Sequence, residues 1–276
     1  MELPRLSAGR HIFLALPLVV LLGCGSHPGP STPASQYLNL NGNWEALGLP
    51  SPPVVGLTTP IAAFMGALQS TNGIVTGTIR AFDASNFLNP CVLFTQDLAA
   101  TGTLTPAGNL VLTVPISNGT ATLTATLSTN LQTFTQGTWH ITGGACAMPS
   151  TPMAITQYAP VTGTYTGTLT TYGTATTTAI TAVLTQSTIP DADGRFPLTG
   201  TITAPGICSG TFPLIPEVVS GNGIYSTNAG ALAPASELTG AFLPDASAFQ
   251  TAVVNIYGTL GLNCPAATFS GPLTRQ

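Results

Sequence analysis

A two-residue alternation carried by threonine constrains this chain more than any other feature. Val161, Gly163, Tyr165, Gly167 and Leu169 alternate with Thr162, Thr164, Thr166, Thr168 and Thr170. Ala121, Leu123, Ala125 and Leu127 alternate in the same way with Thr122, Thr124, Thr126 and Ser128. Successive side chains of a strand point to opposite faces, so such a segment has one apolar face and one face of hydroxyls. Threonine suits the wet face because β-branching favours the extended backbone. No stretch after residue 24 keeps a 3.6-residue period. Residues 60–69 admit a helix in isolation, but their counterpart, Thr176 to Gln186, is too rich in Thr, so both are read as strands. Strands are predicted near 38–47, 61–69, 73–82, 91–96, 100–104, 109–116, 120–128 and 133–142, with a closing strand near 151–158. The second half follows near 163–172, 175–187, 195–204, 209–214, 219–227, 236–242, 248–261 and 267–274. Short strands separated by Gly, Asn, Asp and Pro turns mean a meander, a sandwich or a barrel.

The two halves repeat one another. Cys91 and Cys146 are 55 positions apart, Cys208 and Cys264 are 56 apart, and other features recur in the same order. Leu40-Asn41-Gly42-Asn43-Trp44 matches Val161-Thr162-Gly163-Thr164-Tyr165, and Ala67-Leu68-Gln69-Ser70 matches Leu184-Thr185-Gln186-Ser187. Val75-Thr76-Gly77-Thr78-Ile79 matches Leu198-Thr199-Gly200-Thr201-Ile202, and Gln136-Gly137-Thr138-Trp139 matches Ile256-Tyr257-Gly258-Thr259-Leu260. Each unit, 37–158 and 159–276, is long enough for its own core. The fold class is therefore all-β, with two tandem antiparallel units, each an up-and-down barrel or, alternatively, a β-sandwich. Gly42-Asn43-Trp44 followed by a strand with a Thr-Gly-Thr centre resembles the start of lipocalin- and avidin-type barrels, and Gly163-Thr164-Tyr165 repeats the pattern. The resemblance covers about the first third of each unit. It implies an up-and-down barrel with a basic residue of the last strand over the aromatic. Arg275, in the second unit, is the residue available for that place.

The N-terminus implies export. Arg5 and Arg10 precede an apolar run from Ile12 to Leu22. Eleven helical residues rise about 16 Å, well short of the ~30 Å hydrocarbon core, so the run is a signal-peptide core and not a span. It ends in Leu21-Leu22-Gly23-Cys24, which resembles the lipobox of bacterial lipoproteins. The resemblance implies cleavage before Cys24 (1–23 being the signal peptide), diacylglycerol on its thiol and acylation, such as palmitate, on its amine. Two or three acyl chains make a stable anchor where one is marginal. Residues 24–36 are rich in Gly, Pro and Ser and read as a flexible tether. Gly25, where Asp would favour inner-membrane retention, leans toward the outer membrane under the family's sorting rule.

From Cys24 onward the chain has three arginines, Arg80, Arg195 and Arg275, no lysine and eight carboxylates, a net charge of −5. No basic stripe exists to bind nucleic acid. With Cys24 lipidated, Cys91, Cys146, Cys208 and Cys264 remain, an even number in an exported chain, which reads as disulfides. A unit duplicated whole carries its own bridge, which gives Cys91–Cys146 and Cys208–Cys264; one bridge between the units is the alternative. No cysteine spacing fits zinc, and neither a metal nor a cofactor is implied.

Candidates for chemistry are sparse. Glu45, Asp83, Asp97, Asp191, Asp193, Glu217, Glu237 and Asp245 lie singly or in pairs in different elements, and nothing selects two of them as a glycosidase pair. His140 follows Trp139 on a strand and by alternation points away from it. No nucleophile elbow or phosphate loop occurs. Asp191-Ala192-Asp193-Gly194 starts like a calcium loop, but Arg195 stands at the third oxygen position and no Glu follows, so a hairpin turn is expected. Trp44, Phe64, Phe94, Phe134, Trp139, Tyr165 and Tyr257 are either core or pocket lining. Trp44, Trp139 and Tyr165 are the candidate ligand contacts, because an eight-stranded barrel holds one small ligand. The function expected is that of a non-enzymatic envelope lipoprotein, joined to the membrane through Cys24 and binding a small apolar ligand or a glycan. A structural or adhesion protein without a ligand is the alternative, and a glycoside hydrolase trails both.

Overall fold

Alternation becomes strand order in two consecutive antiparallel units, the first a meander. The computed structural model describes residues 37–48, 62–82, 97–116, 119–127, 133–143, 148–205, 210–227, 235–258 and 265–276. The first meander comprises β1 (Gly42–Gly48), β2 (Ala62–Thr71), β3 (Ile74–Phe82), β4 (Asp97–Leu104), β5 (Asn109–Ile116), β6 (Gly119–Leu127), β7 (Thr133–Thr142) and β8 (Met148–Tyr158). Each strand pairs antiparallel with the next, and β8 returns to β1 with Trp44 opposite Gln157, closing an up-and-down barrel. The closing strand is longer than the segment predicted for it. The strand expected near 91–96 lies outside the described residues.

The second unit comprises β9 (Gly163–Thr171), β10 (Thr177–Gln186), β11 (Phe196–Thr203), β12 (Thr211–Pro213), β13 (Glu217–Ser220), β14 (Gly223–Ser226), β15 (Ala235–Phe242), β16 (Ala248–Tyr257) and β17 (Ala267–Arg275), with β11 pairing both β12 and β13. β17 pairs with β9 with Arg275 opposite Tyr165, and β10 pairs with β11, so this antiparallel sheet also returns on itself. One expectation needs correction. Residues 219–227 are not a single strand: the chain reverses at Gly221–Asn222 and makes the β13–β14 hairpin, with Ser220 opposite Gly223. Gly221 has φ +56°, a turn conformation that interrupts the alternation there.

Burial follows the predicted faces. On β5 Leu110, Leu112, Val114 and Ile116 point inward, and on β10 Ile180, Ala182 and Leu184 do. A bulge in β16 lets both Phe249 and Ala252 face inward although they are three residues apart. The apolar faces thus line the barrel interiors and the threonines point out. A membrane-spanning barrel has the reverse arrangement, with its apolar band outside. Among the described residues no helix is long and apolar enough to cross a membrane.

Hydrogen bonds reproduce the repeat at one latch. Leu40 N–H donates to Ser70 Oγ while Ser70 N–H donates to Asn41 Oδ1. In the second barrel Val161 N–H donates to Gln186 Oε1 while Gln186 N–H donates to Thr162 Oγ1. Gly42, Leu68 and Gly77 are successive cross-strand partners, as are Gly163, Leu184 and Gly200. Leu68 therefore corresponds to Leu184, one residue away from the match made on sequence, because Ser70 and Gln186 do the same work with different side chains. The match of Gly137 to Gly258 also slips. Gln157 and Arg275 hold equivalent places, Gly137 pairs four residues before Gln157, at Met153, and Ala252 pairs four before Arg275, at Gly271. Gly137 corresponds to Ala252, the bulges having changed the spacing that sequence counts.

Candidate functional site

The aromatic side chains chosen as ligand contacts fill the barrels. Trp44, Trp139 and Tyr165 are 3%, 1% and 0% exposed. Trp44 donates through Nε1 to Leu40 O at 2.6 Å, and Tyr165 donates through its hydroxyl to Ala246 O at 2.8 Å. Phe64 stands edge-on to Trp139 at 5.3 Å, and Tyr165 edge-on to Phe249 at 5.0 Å, the geometry aromatic rings favour in cores. The void that Trp44 borders with Phe64, Leu110 and Ile155 measures about 20 Å³. That is room for one water, whereas small-molecule sites begin near ~300 Å³. Phe94 and the Phe134 side chain lie outside the described residues, as do Cys24, Cys91, Cys146, Cys208 and Cys264. Tyr257 sits on β16, where it donates a hydrogen bond to Glu237 Oε2.

Open space lies instead where the barrels meet. On β1, Trp44 and Ala46 point into the first barrel, so Asn43 and Glu45 point out, yet both are buried. The β13–β14 hairpin covers them. Asn43 Nδ2 donates to Gly221 O and Gly221 N–H donates to Asn43 Oδ1. Tyr158 donates to Glu45 Oε2 at 2.7 Å. Burial raises the Glu45 carboxyl above its ordinary range, with the Tyr158 hydrogen bond opposing the rise. It raises the Tyr158 phenol as well, and the Glu45 charge adds to that effect.

The Asp191–Arg195 segment is the turn its sequence predicts. Asp191 Oδ1 accepts from the backbone N–H of Asp193 and of Arg195, and Gly194 N–H donates to Asp191 O. Its carboxylates hold a cation of the chain itself, since Arg195 pairs with both Asp191 and Asp193. Gly194, at φ +73°, lies so close to β3 that a Cβ there would come within 2.3 Å of Thr78 O. This approach brings Arg195 beside Arg80, two residues beyond Thr78. Arg80 is directly opposite Asp97 across β3–β4 and grips it with Nε and Nη2, both at 2.9 Å. Between the two arginines is a cleft of about 390 Å³, also lined by Met65, Ser220, Tyr225 and Thr227. A larger groove of about 600 Å³ follows the 159–162 connection. Its amides Gln157 and Gln186 are engaged in binding Asn41 O and Val161 N–H.

Among the described residues the remaining carboxylates form no open pair, and Asp83 lies outside them. Glu217 is 2% exposed, accepts from Leu238 N–H through Oε1, and has no hydrogen-bond partner for Oε2 among the described residues. Desolvation by burial, against the Leu238 hydrogen bond and with a contribution from the Glu237 charge, pushes its carboxyl up to about 8. Glu237 accepts from Asn255 Nδ2 and the Tyr257 hydroxyl. His140 is half-buried on the outer face of β7, opposite Thr122, with Trp139 pointing inward. The inter-barrel cleft went unforeseen in the sequence. Its one available signal was that two of the three arginines after Cys24 each lie near aspartates, Arg195 within two and four residues of Asp193 and Asp191.

The described residues define an all-β fold of two consecutive antiparallel units, the first a closed eight-stranded barrel. Comparison of the chain with protein-family models, with curated proteins and with solved structures gives no match.

Proposed function

We propose that the chain is a lipid-anchored protein of the bacterial cell envelope, with the outer membrane favoured by Gly25, whose two barrels form one stiff, non-enzymatic body and not a carrier of a ligand inside a barrel. The observation that carries this is the filled first barrel, with about 20 Å³ left beside Trp44. The buried, reciprocal contact of Asn43 with Gly221 of the second barrel adds to it, because it opposes hinging between the two. The Leu21-Leu22-Gly23-Cys24 tetrapeptide supports anchoring. The barrels then serve as a spacer or adhesion body whose hydroxyl-rich outer faces meet neighbouring molecules.

Two measurements test this reading. Mass spectrometry of the mature N-terminus is expected to find a diacylated or triacylated Cys24, and Cys24→Ala is expected to move the protein out of the detergent phase. Native mass spectrometry and solvent extraction of the purified chain are expected to yield no stoichiometric apolar molecule beyond the anchor. A lipid or pigment recovered at one per chain overturns the structural reading, and an unmodified product cut elsewhere overturns the anchor.

A further inference from the structure

We propose that the cleft between the barrels, with Tyr225 as its platform, is a binding site for a neutral linear oligosaccharide. Tyr225 is 44% exposed, and it borders this cleft while the other exposed tyrosines, Tyr37 and Tyr172, do not. Its ring does not stand up from the strand. It lies back over Gly223, where a Cβ would meet its Oη, Cζ and Cε2 at 2.5–2.8 Å. The missing side chain at Gly223 is what lets the ring lie flat, and the Tyr225 hydroxyl reaches across to Met65 Sδ of the first barrel at 3.8 Å. A flat phenol steadied at its hydroxyl end offers a π-face for the C–H face of a pyranose.

The walls suit hydroxyls. Arg80 and Arg195 come from different barrels, and each is already ion-paired. A guanidinium has five N–H donors, and a carboxylate has about four acceptor sites, so a paired Arg–Asp retains both kinds. Sugar hydroxyls need donors and acceptors together; Ser220 adds a hydroxyl that acts as either, and Thr227, whose proton goes to Pro216 O, adds an acceptor. Two guanidiniums meet three carboxylates here, Asp97, Asp191 and Asp193, so the local balance is negative and an anionic ligand is disfavoured. The about 390 Å³ cleft falls in the range of small-molecule sites. A second depression of about 400 Å³ along β14–β15 shares Tyr225 and Ser226, so the groove continues past the ring and suits a chain of sugars more than a single one.

The proposal is independent of the anchor and of the filled barrels, and its failure leaves both in place. The test uses the full chain in a zwitterionic detergent, since sugar-headed detergents would compete. Chitotriose, cellotriose and maltotriose are titrated by calorimetry and by saturation-transfer NMR, with trigalacturonate as the anionic counterpart. At least one neutral trisaccharide is expected to bind saturably with a Kd of millimolar or lower, with trigalacturonate about tenfold weaker or worse. Tyr225→Ala and Gly223→Ala are each expected to weaken binding about tenfold, and Tyr172→Ala to leave it unchanged. Gly223→Ala acts by lifting the ring, in a backbone conformation that tolerates alanine, so it decides the matter should Tyr225→Ala misfold. No binding of any neutral trisaccharide, binding that survives both substitutions, or trigalacturonate binding as tightly as the neutral sugars would each overturn the proposal.

Discussion

Asn43 and Gly221, 178 residues apart, hold each other by two reciprocal hydrogen bonds of 2.6 and 2.7 Å. The carboxamide matches a backbone amide group donor for acceptor, and Asn43 is 2% exposed. Asn43→Ala removes both bonds and strands a buried N–H and a buried carbonyl. A destabilisation of about 2–4 kcal/mol is expected in denaturant unfolding. Asn43→Asp keeps the acceptor but sets a carboxylate oxygen against Gly221 O, so it is expected to lose at least as much. A loss within experimental error for both would mean that this contact does not form in solution.

Glu217 sets a pH dependence of stability. The unfolded chain releases this proton near the ordinary value of 4.5, and the folded chain keeps it to about 8. Between those values the folded state carries more protons, so stability falls as pH rises. Glu45, also raised by burial, acts in the same direction. Unfolding free energy is expected to be higher at about pH 5 than at about pH 8, and Glu217→Gln is expected to remove much of that slope and to stabilise the protein at the higher pH. A variant with the wild-type slope would show that Glu217 ionises normally in the folded protein.

Much of the fold was readable because threonine alternation states a face at every second residue. β9 and β10 fall where Thr162–Thr170 and Thr176–Gln186 alternate, and the duplicated Gly42 and Gly163 mark the same place in both barrels. What alternation cannot state is whether an outward face stays wet. Asn43 and Glu45 read as solvent-facing residues of β1, and only the second barrel buries them. Met65 and Ala67 on β2 share that fate. Sequence does not separate the two roles open to Trp44 and Trp139, because an indole contributes as much to a core as to a pocket. Tyr225 stayed hidden inside a segment read as one strand, its exposure depending on the hairpin turn at Gly221.

Gly194 is where the turn of the second barrel touches the first. Alanine there would hold φ +73° against its preference and press a methyl group against Thr78 O, which is backbone and cannot rotate away. Gly194→Ala is expected to cost about 1–3 kcal/mol and to loosen the joint between the barrels. Limited proteolysis in the 159–162 connection reports the loosening. An unchanged cleavage rate with unchanged stability would show that the two surfaces do not meet there.

Disulfide pairing is the sharpest remaining test of the duplication. Cys91 lies between β3 and β4 in sequence and Cys146 between β7 and β8; Cys208 lies between β11 and β12 and Cys264 between β16 and β17. The strand ends that flank the first pair, Phe82, Asp97, Thr142 and Met148, are all at the barrel end opposite the Leu40–Ser70 latch, as the antiparallel order requires. The ends flanking the second pair, Thr203, Thr211, Tyr257 and Ala267, are likewise opposite the Val161–Gln186 latch. The described strand ends on either side of each pair thus share one end of their own barrel, and Cys91–Cys146 and Cys208–Cys264 remain the pairings expected from a unit duplicated whole. Each such bridge would close a loop of about 55 residues, worth roughly 4 kcal/mol on the chain-entropy estimate. Non-reducing peptide mapping is expected to recover these two linked peptides. Replacing one bridge by two serines is expected to lower the stability of its own barrel by a few kcal/mol. A peptide linking Cys91 to Cys208 or to Cys264 would refute a unit duplicated with its bridge intact.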